Sequence, residues 1–275
     1  MFLRSRKTSD GARLGAISEV APTAPVLHEP DPVGEIRVVE TDARLSGLDA
    51  GTFAFDGRPA ALALAFVSPH VDFDAVTQTL KRLAGSVPTI AVSTAGELCN
   101  IGGGLYRDTG TSWSTVTIQV FPPDLFAEVS IHAVPLHCED IRSGAPNKTR
   151  EARISAILRS LESVRPSFPI SARETFALTL VDGLSASENY LMEAVYRAGR
   201  YPCLFIGGSA GGKFDFANTR IFDGRTTHQN HALIAFVRMA PGRAFGVFKS
   251  QNFRASGKSF RVAEAVPNRR FVAGV

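Results

Sequence analysis

Apolar and polar positions recur with changing period along this chain, and each change marks the edge of an element. Ala61–Val67 is an unbroken apolar run, the pattern of a strand buried on both faces. Val71, Ala75, Val76, Leu80 and Leu83 then recur at helical spacing, with Asp72 placed to cap the helix start. Thr89–Val92 reads as a second strand and ends in Ser93-Thr94-Ala95-Gly96-Glu97. A glycine turn at Gly102–Gly104 precedes two extended runs, Trp113–Phe121 and Phe126–Val134.

The same order then returns. Thr175–Val181 predicts a strand, Asp182-Gly183 a turn, and 186–198 a helix opened by the capping-box spacing of Ser185 and Glu188. Cys203–Ile206 predicts a strand that runs into a glycine-rich turn, Gly207–Gly212. Extended runs follow at Thr219–Phe222, His228–Val237 and Ala244–Ser250. Laid over one another, Ser93-Thr94-Ala95-Gly96 and Gly208-Ser209-Ala210-Gly211 occupy the same place, which suggests a duplication of about 60–134 and 175–250. Strand–helix–strand links imply parallel pairs and the later runs imply antiparallel additions. The predicted fold class is therefore α/β (mixed α+β), with duplicated units forming mixed sheets flanked by helices. Between the copies, 147–164 predicts a connecting amphipathic helix, with Ile154, Ile157, Leu158 and Leu161 on one face and its charges toward solvent. Pro22, Pro25, Pro30 and Pro32 make residues 1–33 a flexible lead-in, so the folded domain is expected over 34–252, with a basic tail over 253–275.

Composition narrows the function classes. The chain has 275 residues, 44% of them hydrophobic, enough for a sizeable core. Its net charge of +4 gathers at the ends: residues 1–14 carry +3 and residues 238–275 carry +7, which leaves −6 for 15–237. An acidic body argues against specific nucleic-acid reading. The longest apolar run, Ala60–Val67, falls far short of the roughly 20 residues that span a bilayer, and no apolar leader follows the basic start. Cys99, Cys138 and Cys203 show no CxxC spacing, which fits a reducing compartment. A cytoplasmic protein without a membrane span is the expectation.

Three groups of residues invite chemistry. Gly207-Gly208-Ser209-Ala210-Gly211 fits the nucleophile-elbow pattern of serine hydrolases, which needs a helix straight after the serine. The sequel, from Lys213 to Asn218, is too polar and irregular to be that helix. His228 and His231 suggest metal, but on one continuous strand they would point to opposite faces, so a single axial ligand to a large cofactor is the better metal reading. Asp182, Gly183 and Ser185 sit where a buried strand ends and a helix begins, the usual ligand position in α/β sheets.

Taken in order, Ser93-Thr94-Ala95-Gly96-Glu97, Val181-Asp182-Gly183-Leu184-Ser185 with Glu188, and Gly207–Gly211 with Phe216 and Thr219 resemble the FIST family of sensory domains. Phe222-Asp223-Gly224-Arg225 adds to the likeness, which spans about 60–252. The resemblance implies an N-terminal FIST domain that binds a small ligand of amino-acid class and catalyses nothing. It also implies signalling to a histidine kinase, a cyclic-dinucleotide enzyme or a chemoreceptor. Ser93, Thr94, Gly96, Glu97, Asp182, Gly183, Ser185, Gly208, Ser209 and Gly211 are its implied ligand residues. No cofactor is required for that reading. A subset of the family resembles haem-binding nitric-oxide sensors, and the likeness carries the axial role to His228. A hydrolase using Ser209 is the further alternative. Family members continue into a C-terminal FIST domain, and the basic stretch before Val275 resembles the start of that junction.

Overall fold

The small and large residues of one strand dictate the layering. In β4 (Leu62–Val67), Ala63, Ala65 and Val67 face one side, while Leu62, Leu64 and Phe66 face the other. Small side chains on the first face let a helix approach closely, and large ones on the second fill the space to another sheet.

The computed structural model describes residues 36–99, 113–213, 215–248, 254–266 and 271–274, all within the unit Val33–Val275. The lead-in and the Gly102–Gly104 turn lie outside the described residues. Strand β1 (Arg37–Thr41) leads through a 3-10 turn (Ala50–Phe53) and a small hairpin, β2 (Ala54–Phe55) and β3 (Arg58–Pro59), into β4. Helix α1 (Phe73–Ala84) returns the chain to β5 (Thr89–Ser93), and β6 (Val116–Phe121) and β7 (Phe126–Pro135) follow. Helices α2 (Glu139–Arg142) and α3 (Arg150–Leu161) precede β8 (Thr175–Asp182), α4 (Glu188–Ala198) and β9 (Leu204–Ala210). The chain continues with β10 (Ile221–Phe222), β11 (Thr227–His228) and β12 (His231–Met239), then a hairpin of β13 (Glu264–Val266) and β14 (Phe271–Gly274).

Two mixed sheets result, as the pattern predicts. The first has order β1-β6-β4-β5-β10-β11 and the second β7-β12-β8-β9. Each holds one parallel pair joined through a helix, β4 with β5 and β8 with β9. Each parallel pair also gains an antiparallel neighbour, β6 on β4 and β12 on β8. Strand β8 repeats the side-chain code of β4: Ala177 and Val181 face the helices, and Phe176, Leu178 and Leu180 face the other sheet. Leu62, Leu64, Ile90 and Val92 meet Leu180, Leu233, Ala235 and Val237 between the sheets. Helix α1 covers the outer face of the first sheet, and α3 and α4 cover that of the second. Burying Ile154, Ile157 and Leu191 there stabilises the fold by about 1.5–3 kcal/mol each.

Several expectations change. The two copies are one residue out of the register expected from their loops. Ser93 pairs with Val67 and Ser209 with Val181, both on helix-facing positions, so Ser93 corresponds to Ser209 and not to Gly208. Gly207, Gly208 and Ser209 form no turn; β9 runs straight through them to Ala210. The segment 228–237 is not one strand. Asn230 adopts a left-handed φ of 56°, and the chain passes from the first sheet at His228 to the second at His231. Helix α4 starts at Glu188, and Ser185 belongs to a preceding 3-10 turn whose cap is Asp182. No strand forms over 244–248. In α3, Arg153 leaves the solvent face and is only 3% exposed, forming a two-pronged pair with Asp140 at 2.8 and 2.6 Å.

Candidate ligand site at the joined strand tips

The two parallel pairs end side by side. Ser93 N–H donates to Arg220 O and Ser93 O accepts from Gly211 N–H, both at 2.9 Å. The Ser93 hydroxyl donates to Gly211 O at 2.6 Å and accepts from Arg220 N–H at 2.9 Å. One buried serine thus ties the tip of β5 to the segment leaving β9 and to the approach to β10. Gly211 is needed here, because a Cβ would lie 2.6 Å from Ala95 N and 3.0 Å from the Ala95 Cβ. Gly183 is confined in the same way, 2.3 Å separating such a Cβ from Ala210 O.

Asp182 organises this junction from inside. Its buried carboxylate accepts from Asn230 N–H at 2.6 Å, Leu184 N–H at 3.0 Å, Arg142 Nη1 at 3.1 Å and the Thr219 hydroxyl. Four donors match the four or so acceptor positions of a carboxylate, so this group is held by protein on every side. Arg142 reaches on to Ala217 O at 2.8 Å and Asn230 Oδ1 at 3.3 Å. Ser185 is also fully buried and accepts from Ser187 N–H at 3.2 Å. Beyond β5, the Thr94 hydroxyl donates to Glu97 Oε1 at 2.5 Å, while Glu97 Oε2 is buried without a partner. Burial pushes the Glu97 carboxyl above the ordinary range and Glu40 adds to this, against the lowering bond from Thr94. Gly96, at φ 144°, turns the chain between them.

Two cavities open around the junction. The first, about 220 Å³, lies at the start of α1 and is lined by Asp72, Asp74, Ser93, Lys213, Asp215, Asn218 and Arg220, with Pro69, Val71 and Phe73. Arg220 pairs with Asp74 at 3.0 Å, and Asp74 also accepts from the Thr227 hydroxyl at 2.7 Å. Asp72 caps α1 through Asp74 N–H and Ala75 N–H, both at 3.1 Å. The second cavity, about 180 Å³, lies between α4 and β9 and includes Gly208, Ser209 and Glu188. Of the residues expected to bind ligand, Ser93 lines the first cavity and Gly208 and Ser209 the second. Thr94, Gly96, Glu97, Asp182, Gly183, Ser185 and Gly211 line neither. Sequence reasoning missed Arg142, Lys213, Asp215 and Arg220. The polar run Lys213–Asn218 carried the one available signal, as a loop too charged for its position between strands.

The family model of the FIST N domain matches residues 61–273, from the start of β4 into β14. The chain belongs to the FIST family. FIST domains are sensory domains of signal-transduction proteins. Comparison with curated proteins finds no match. Within this FIST domain, among the described residues, no helix is long and apolar enough to cross a membrane, and no three His, Cys, Asp or Glu side chains group as a metal site.

The surroundings of His228 do not fit a haem. Its Nε2 is held by Asp223 Oδ2 at 2.9 Å, and its ring lies 4.8 Å from that of His231. Neither cavity includes it. The two histidines are neighbours because the turn at Asn230 breaks the strand period that would separate them. Ser209 likewise lacks the elbow setting. It lies inside β9, its hydroxyl donates to Glu188 Oε1 at 2.9 Å, and no helix follows among the described residues.

Proposed function

We propose that this FIST domain senses a small zwitterionic metabolite of amino-acid class in the first cavity. It catalyses nothing, acts in the cytoplasm and passes its state to a separate signalling partner, such as a histidine kinase, a cyclic-dinucleotide enzyme or a chemoreceptor. The observation that carries this reading is the lining of that cavity by both signs of charge above Ser93, the residue that joins the two strand tips. Lys213 and Arg220 suit a carboxylate, while Asp72 and Asp215 suit an ammonium group. A volume of about 220 Å³ lies below the roughly 300–1,000 Å³ of sites for drug-sized molecules and suits a metabolite of a few heavy atoms.

Sensing requires that the ligand favour one of two conformations. Arg220 supplies the link, since its backbone N–H bonds Ser93 and its guanidinium bonds Asp74 in the cavity wall. A ligand carboxylate competing for that guanidinium acts directly on the residue that holds the tips together. Calorimetric titration of the standard amino acids tests this. At least one binds saturably, and Lys213→Ala weakens it by about tenfold, the loss of one charged hydrogen bond. Absence of saturable binding by any of them overturns the reading.

A further inference from the structure

We propose that the cavity between α4 and β9 of the second sheet is a second ligand site, built for a small amine that also carries a hydroxyl group. The inference goes beyond the amino-acid reading, and the two cavities share no lining residue.

The slot runs along one facing pair of strand positions. Thr179 on β8 pairs with Gly207 on β9, on the face that looks toward α4. The corresponding positions of the first sheet, Ala65 paired with Ala91, are both 0% exposed beneath α1. In the second sheet Thr179 and Gly207 instead border about 180 Å³ of open space. Val181, Leu191, Met192 and Phe205 give this space an apolar wall.

Two polar features stand out against that wall. Thr179 is only 5% exposed, yet its hydroxyl has no hydrogen-bond partner. A buried hydroxyl without a partner is costly, and here its residue lines a cavity from which one can be supplied. At the rim stands the Glu188 carboxylate, which accepts from the Ser209 hydroxyl at 2.9 Å. A ligand matching both has an apolar body, a hydroxyl that bonds Thr179 and an ammonium group that meets Glu188. The hydroxyl of Thr179 both donates and accepts, so either polarity of that bond is available.

Tyramine has all three features, phenethylamine lacks the hydroxyl and 4-ethylphenol lacks the amine. The chain has three methionines, so methyl-labelled methionine in the full chain gives few NMR signals, and Met192 lines the slot while Met239 is buried elsewhere in the core. Tyramine is expected to shift the Met192 methyl saturably and leave Met239 in place. Phenethylamine and 4-ethylphenol each bind about tenfold more weakly, the loss of one good hydrogen bond. Thr179→Val, of equal shape, removes the advantage of tyramine over phenethylamine, and Glu188→Gln removes its advantage over 4-ethylphenol. The proposal is overturned if no probe shifts Met192 saturably, or if tyramine and phenethylamine bind the unaltered chain equally. The latter comparison needs no variant to fold. Loss of amino-acid binding in Lys213→Ala with tyramine binding intact separates this site from the first.

Discussion

The first and second halves of this FIST domain share a topology and differ in what covers their parallel strands. Strand β5 is buried along its whole length, because α1 packs on one face, the second sheet on the other, and β10 closes its edge. Among the described residues, strand β9 ends its sheet without such a neighbour, and Leu204, Ile206, Gly207, Gly208 and Ser209 are exposed. The same pairing of strands therefore yields a dry interior in one half and an accessible slot in the other. Position by position, Ala65 and Ala91 give way to Thr179 and Gly207. A duplicated unit can keep its framework through the large inward residues while the helix-facing positions are free to differ.

The largest expected contrast concerns the residues that follow the helix-facing valines. Ser68 and Asp182 correspond, and both are fully buried. The Ser68 hydroxyl bonds Trp113 O and His70 N–H, whereas the Asp182 carboxylate holds Arg142, Asn230, Leu184 and Thr219. Asp182→Ala should cost about 3–5 kcal/mol by urea unfolding, since it strands a cation and several donors, and Ser68→Ala only about 1 kcal/mol. Equal costs would mean that the two junctions are built alike. Asp140→Asn comes next, at about 3 kcal/mol, because Arg153 is buried against it. Arg153 holds the Asp140 carboxyl well below the usual range, so its stabilising contribution is present above about pH 4 and fades as pH falls toward the folded value. The variant should show a flatter acid limb.

Smaller effects sharpen the packing comparison. Ala91→Gly removes a buried methyl group and should cost about 1 kcal/mol. Thr179→Val removes an unpartnered hydroxyl and should leave the unfolding midpoint unchanged or raised. The smallest effect is that of Glu97. Its folded pKa is raised, so its contribution is fully present below about pH 4.3 and declines as pH rises through the folded value. Glu97→Gln should remove that decline.

Much of this was legible in the chain. The buried run of β4, helix α1 with its Asp72 cap and the return of the same order after residue 175 all follow from local period and capping chemistry. The first part of β9 was legible, but its continuation over 207–210 was hidden because glycine usually marks a turn, and here Gly207 is tolerated in a strand facing Thr179 O, where a Cβ would clash. His228 and His231 were misjudged because one positive φ at Asn230 changes sheets between them. The site's cations lay beyond local pattern altogether. Arg142 meets Asp182 across 40 residues and Arg220 meets Asp74 across 146, distances over which a single sequence carries no spacing rule.

Amide hydrogen exchange at Gly211 and Arg220 tests the sensing claim most directly, because both N–H groups bond Ser93 at the junction. With the best-binding amino acid saturating the first cavity, their exchange should change by about tenfold or more while amides of β6 and β12 stay as they were. Unchanged exchange at both positions, with the ligand demonstrably bound, would show that occupancy never reaches the contact joining the two halves.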